Sequence, residues 1–172
     1  MRHGDWMQTY SGRKFWPVDP RPEEVFIEDI AHALSMICRF GGHSLVFYSV
    51  AQHSVLVARN LRREHKRWGL MHDASESYVM DIPRPLKYFI PGYKGIENNV
   101  MRAISLRYGL GDMPADIKRV DNAILADEMS QLMAPPPEEW HLPEPPLGIN
   151  IKPWGPKRAK TEFMKEFTKL FS

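Results

Sequence analysis

The sequence predicts an all-α bundle of about six helices, with a short extended element at its N-terminus and a proline-rich loop near its C-terminus. Three observations carry this expectation. Apolar residues recur at helical spacing through several segments. Proline and glycine clusters fall between those segments and mark their ends. The chain has 172 residues, 43% hydrophobic and 26% charged, a balance that suits one soluble domain able to bury a sizeable core without disulfides or a structural metal.

Residues 6–20, WMQTYSGRKFWPVDP, place aromatics around Ser11-Gly12 and read as a short hairpin or extended arm. Pro20 and Pro22 precede a helix whose Ile27, Ile30, Ala31, Leu34 and Ile37 form one stripe. Glu23, Glu24, Glu28 and Asp29 crowd its start, where the helix dipole favours acids. Gly41-Gly42 stops it. A second helix is expected from Phe47 to about Arg63, with Val50, Val57 and Leu61 inward, and a third from near Lys66 to about Met80. Pro83 and Pro85 then predict a tight, rigid loop. Beyond Pro91-Gly92, Ile96, Val100, Met101, Ile104 and Tyr108 define an amphipathic helix. Pro114 suits the first turn of the next, which carries Ile117, Val120, Ile124, Leu125 and Met129. Residues 135–156 hold eight of the fifteen prolines and read as an extended surface loop pinned by Trp140 and Trp154. A last helix, 157–171, offers Phe163, Phe167 and Leu170 for docking.

A net charge of +2 demands neither a nucleic-acid nor a membrane partner. Basic residues cluster in the tail, and again through Arg59, Arg62, Arg63, His65, Lys66 and Arg67; both clusters read as solvated surface. One cysteine, Cys38, excludes a disulfide framework and a zinc finger built on Cys pairs. No apolar run approaches the roughly 20 residues of a membrane span. MRHGDWMQTYSG has no apolar signal core, so a cytoplasmic protein is expected.

The strongest chemical signal is His72-Asp73 within LMHDASES, on an expected helix, with Glu76 one turn on. Ionisable groups flanked by Leu70, Met71 and Ala74 are costly to bury without partners, and a divalent cation would satisfy them. Imidazole plus carboxylate suits Mn, Co, Ni, Fe or Zn better than Ca. His53 lies among Val50, Ala51 and Val55, and Asp121 sits mid-helix in KRVDNAIL. Helices bearing His53, His72-Asp73 and Asp121 can converge on one metal, as bundle sites do.

The order H…HD…D over successive helices resembles that of the HD-domain metal-dependent phosphohydrolases, especially the small bacterial and phage 5′-deoxynucleotidase-like members. The matching stretches are CRFGGHSLVFYSVAQHSV, LMHDASESYVMDIPRPLKYF and KRVDNAIL, and the likeness marks about 16–132 as the core of a single domain over 1–172. It implies an all-helical HD fold, one catalytic divalent metal, a homodimer and a nucleotide substrate. It implies His53, His72, Asp73 and Asp121 as metal ligands. It places Arg39 and Lys87 on the substrate phosphate, where a guanidinium fork suits two oxygens. Glu76 would position the attacking water or move its proton, and Asp81 would protonate the leaving oxygen or orient the sugar. Phe40, where relatives often carry tryptophan, would pack on ribose or base; His43 would bond phosphate or brace the glycine turn.

The expected activity is a 5′-nucleotidase on deoxynucleoside monophosphates. A dNTP triphosphohydrolase built on the same site, with Arg84, Lys94 and the Arg62–Arg67 cluster as extra cations, is the alternative. Of other classes, a catalytically silent nucleotide-binding module and a single-stranded nucleic-acid binder using KPWGPKRAK are the competitors. HExxH, GxGxxG, GxxxxGK[ST] and PCxxC motifs are absent from the sequence.

Overall fold

The computed structural model describes residues 2–172. Among them helices dominate, and the only sheet is a two-stranded ribbon of β1 (Met7–Gln8) and β2 (Lys14–Phe15). The strands pair antiparallel, with Met7 opposite Phe15 and Gln8 opposite Lys14, around a turn in which Gly12 has φ 80°. The expected hairpin at Ser11-Gly12 is therefore present. It is tied to α1 (Ile27–Met36): the buried Asp29 accepts from the Ser11 N–H at 2.7 Å and its hydroxyl at 2.9 Å. Phe15 enters the core and stacks on Tyr78 at 3.7 Å.

α1 ends at Met36, short of the expected stop at Gly41-Gly42: Ile37 and Cys38 run extended into a 3-10 turn over Arg39–Gly42, and Arg39 N–H donates to Tyr48 O while Val50 N–H donates to Ile37 O. Tyr48 and Ser49 are thus spent on pairing, and Ser49 caps α2 (Val50–Arg59) by accepting from Gln52 N–H at 3.2 Å. The second helix is shorter at both ends than the expected 47–63. The third is also cut: α3 (Lys66–Met71) gives way at residues 72–75 to tighter bonds, with Ala74 N–H donating to Met71 O and Glu76 N–H to Asp73 O. His72, Asp73, Ser75 and Ser77 favour this because short polar side chains compete for backbone groups; Ser77 Oγ bonds Ala74 O at 2.7 Å.

A short α4 (Glu76–Val79) follows and ends at Met80, whose φ of 72° and ψ of 155° lie in a region that glycine tolerates best. The Tyr93 hydroxyl fixes that bend by donating to Met80 O at 3.0 Å. The expected Pro83–Pro85 loop contains one helical turn, α5 (Arg84–Lys87), because Pro85 fits a first turn, where no N–H is needed. Two long helices follow, α6 (Tyr93–Tyr108) and α7 (Ala115–Leu132); Pro114 stands just before α7 rather than inside its first turn.

The proline-rich segment runs back along α7 and α2 without helix or strand. Leu147 N–H and Gly148 N–H both donate to Asp127, and Gln52 bonds Lys152 O and Trp154 N–H through its two amide atoms. Trp140 meets Phe40 edge-on at 6.5 Å. The chain ends in α8 (Pro156–Phe171), whose Ala159 and Phe163 are fully buried with Trp154 in the same cluster as Ile30, Leu34, Val55, Leu70 and Met71. The hydrophobic core thus extends past residue 132. Among the described residues no helix is long and apolar enough to cross a membrane.

Candidate metal centre

Close approach of α2 and α3 builds the centre. Gly69 allows it: a Cβ there would stand 3.0 Å from Ala58 Cα and 3.2 Å from Ala58 N. His53, fully buried in the middle of α2, and His72, at the end of α3, then bring their Nε2 atoms to 3.3 Å. The tight turn after α3 swings Asp73 onto the same point, with Oδ2 3.3 Å from His72 Nε2 and 3.6 Å from His53 Nε2. From α7, Asp121 Oδ1 lies 3.0 Å from His53 Nε2 and 3.9 Å from His72 Nε2. All four residues that the resemblance implies as ligands therefore meet, although His72 and Asp73 sit in a turn and not within a regular helix.

The donor set fits a divalent cation. Ligands about 2.0–2.2 Å from a metal, at tetrahedral or octahedral angles, lie about 3.0–3.5 Å from one another, close to the spacing here. His53, His72 and Asp73 alone offer three ligand atoms within 4.8 Å of one another. The far ring nitrogens are already engaged: His53 Nδ1 bonds Glu128 Oε1 at 2.6 Å and His72 Nδ1 bonds Gly69 O at 2.8 Å. With those N–H groups donated outward, both Nε2 lone pairs point at the shared space, where they repel unless a positive charge lies between them. A proton is one such charge. Burial and Arg39 act against a charged His53, but Glu128 and Asp121 outweigh them and raise its pKa. Burial also opposes a charged His72, yet Asp73 and Asp121 raise it well above the ordinary value. Asp73, despite burial, is held at about 2 by His72, and the two imidazoles pull Asp121 down further.

Around this cluster stand most of the other expected site residues, His43 excepted. Glu76 is 5% exposed, and its Oε2 has no hydrogen-bond partner. Burial, then Asp73 and Asp81, push its pKa well above the carboxylate range against the opposing pull of Lys87 and Arg39. Asp81, half-buried, is likewise raised, chiefly by burial. Lys87 reaches Glu97 at 2.9 Å and Glu76 at 3.6 Å, so it is an ion-pair partner of both acids. Arg39 is buried, donates from Nη2 to Glu128 at 2.9 Å, and holds Nη1 3.7 Å from Asp73; its buried Nε is without a partner. Phe40 takes φ 58°, a costly value for a bulky residue, and lies between the Arg39 guanidinium and Trp140. His43 is exposed, and none of the contacts described at the cluster involves its side chain.

Glu128 and Glu97 were not expected. Glu128 is fully buried two turns beyond Asp121 on α7, and the helical periodicity that aligns residues seven apart was the available signal. Glu97 gave none, being one acid in a polar stretch of α6.

A scan against protein-family models finds no match. The chain is 38% identical over 172 residues to the uncharacterized protein YfdR of Escherichia coli, covering 96% of this chain and 95% of that protein. It is 38% identical over 136 residues to an uncharacterized protein of Rhodobacter capsulatus, covering 73% of this chain and 68% of that one.

Proposed function

The chain belongs to the family that includes YfdR, and we propose that this member is a metal-dependent phosphohydrolase of the HD type, acting as a 5′-nucleotidase on deoxynucleoside monophosphates. The observation that carries the reading is the pair of imidazole Nε2 atoms at 3.3 Å, flanked by Asp73, next to His72, and by Asp121 from α7. When bound there, a divalent transition metal supplies Lewis-acid polarisation of a phosphoryl oxygen and acidifies water.

The chain's own residues would do the rest. His53, His72, Asp73 and Asp121 hold the cation and leave positions for substrate, as a catalytic site requires. Arg39 keeps an unpartnered Nε–H, and its Nη1 stands 3.7 Å from Asp73, so the guanidinium retains donors for phosphate oxygens beside the cluster. Lys87 offsets charge beside Glu76. Glu76, whose pKa is pushed well above the carboxylate range by burial and then by Asp73 and Asp81, can hold or give a proton from its unpartnered Oε2. Phe40 and Trp140 offer aromatic surface next to Arg39, suited to a sugar or base.

Elemental analysis tests the reading. Metal-stripped wild type resupplied with Mn, Co, Ni, Zn or Mg should retain one equivalent, and His72→Ala and Asp73→Ala should retain none while staying helical. Full occupancy in both variants overturns the ligand assignment. Arg39→Lys should lower kcat/KM at least tenfold, about 1.4 kcal/mol, because an ammonium cannot replace the fork.

A further inference from the structure

We propose that Glu128 is a positioning residue that holds His53 for the cation and Arg39 for the anion, coupling the two halves of the site through one carboxylate. The inference rests on the metal-dependent reading above. Glu128 is 0% exposed, and three donors converge on it from two separate stretches of chain. His53 Nδ1 and the Tyr48 hydroxyl meet Oε1 at 2.6 and 2.8 Å, and Arg39 Nη2 meets Oε2 at 2.9 Å. A buried carboxylate survives only with such partners. Each bond also decides how its donor is presented. Accepting at Oε1 fixes the His53 proton on Nδ1, so Nε2 must present its lone pair toward His72 and Asp73. Accepting at Oε2 occupies Nη2 of Arg39 and leaves the Nη1 and Nε atoms for a ligand. His53 lies on α2, Arg39 and Tyr48 on the stretch before it, and Glu128 on α7, so the carboxylate also joins the elements that carry Asp121 and His53.

Glu128→Gln is the direct test, because the amide keeps the shape but has a single acceptor oxygen for two sets of donors. With the full-length protein loaded with cobalt, the expected result is a loss of Co affinity on the order of 10–100-fold, the usual cost of losing the partner of a metal-bound histidine. The visible Co spectrum should shift, and affinity for inorganic phosphate should fall with it. Tyr48→Phe removes a bond to the same oxygen but spares His53 and Arg39, so it should leave Co and phosphate binding close to wild type. A folded Glu128→Gln protein with wild-type Co affinity, spectrum and phosphate affinity overturns the inference. Should that variant not fold, nitrogen NMR of wild-type protein loaded with zinc decides: the proposal requires His53 protonated at Nδ1 and bound through Nε2, and the opposite tautomer overturns it. Wild type that binds no cobalt defeats the metal reading together with this one, whereas wild-type binding with an indifferent Glu128 defeats this one alone.

Discussion

Glu76 combines burial, an unpartnered oxygen and two acidic neighbours, and these set its stability and its chemistry in opposition. A carboxyl whose folded pKa is raised disfavours the folded state progressively as pH climbs past its ordinary value near 4.5. Glu76→Gln should therefore raise the Tm of metal-free protein at pH 7–8, retain the cation, and lower kcat on the order of 10²–10⁴-fold. A variant with unchanged kcat would shift the proton role to Asp81. The imidazoles titrate in the opposite sense. Their pairing stabilises metal-free protein fully below the ordinary histidine value of 6.5 and is lost as pH rises through the raised folded values. Asp73, held at about 2, contributes above 3.8 and ceases to as pH falls through about 2. A cation must displace protons from His53 and His72, so its affinity should rise with pH across neutrality with net proton release. Calorimetry in buffers of differing ionisation enthalpy reads that release, and pH-independent binding would count against these ligands. His53, His72, Asp73 and Asp121 stood out in the sequence because His and Asp among apolar neighbours are anomalous. Glu128 was missed, although it follows Asp121 by seven residues on one helix face, because a glutamate near a helix end reads as solvated until its neighbours are known.

At the scale of elements, the decisive contact is α2 against α3. Gly69 lies against the Ala58 backbone, and its carbonyl receives His72 Nδ1. Gly69→Ala should push α3 outward, separate the two Nε2 atoms and weaken metal binding well beyond any loss of helicity; competition with a chelator measures it. Wild-type affinity in that variant would mean that the helices need no such proximity. Met80 holds backbone strain next to Asp81, a cost of order 1–3 kcal/mol. Met80→Gly should recover part of it as a rise in Tm, net of the roughly 0.5–1 kcal/mol by which a glycine raises the entropy of the unfolded chain; a fall in Tm would contradict the strain. Helix stripes and the hairpin were readable from spacing and turn residues. The ends of the second and third helices were not: the Arg39–Tyr48 pairing that shortens α2 and the tightened turn at 72–75 depend on partners distant in sequence or on backbone choices that apolar periodicity does not encode.

Across the whole molecule, residues far from the centre hold it together. Trp154, Ala159 and Phe163 lie in the core that supports α2 and α3, and Arg59 on α2 pairs with Glu162 and Glu166 on α8. Ending the chain at residue 150 should therefore prevent folding although every ligand is retained, as circular dichroism and metal content would report. The aromatic pinning of the proline-rich segment was legible from its tryptophans; its hold on Asp127 and Gln52 was not, since single amide and carboxylate side chains carry no pattern. In the proposed function, four side chains from three parts of the chain hold a cation for the hydrolysis of a nucleotide phosphate. Phosphate release from a panel of dNMPs, rNMPs and dNTPs, measured on metal-stripped protein with and without each added cation, tests it most directly. Release from deoxynucleoside monophosphates should depend on added transition metal and disappear in His72→Ala. No release from any nucleotide with any metal, or undiminished release from His72→Ala, would contradict it.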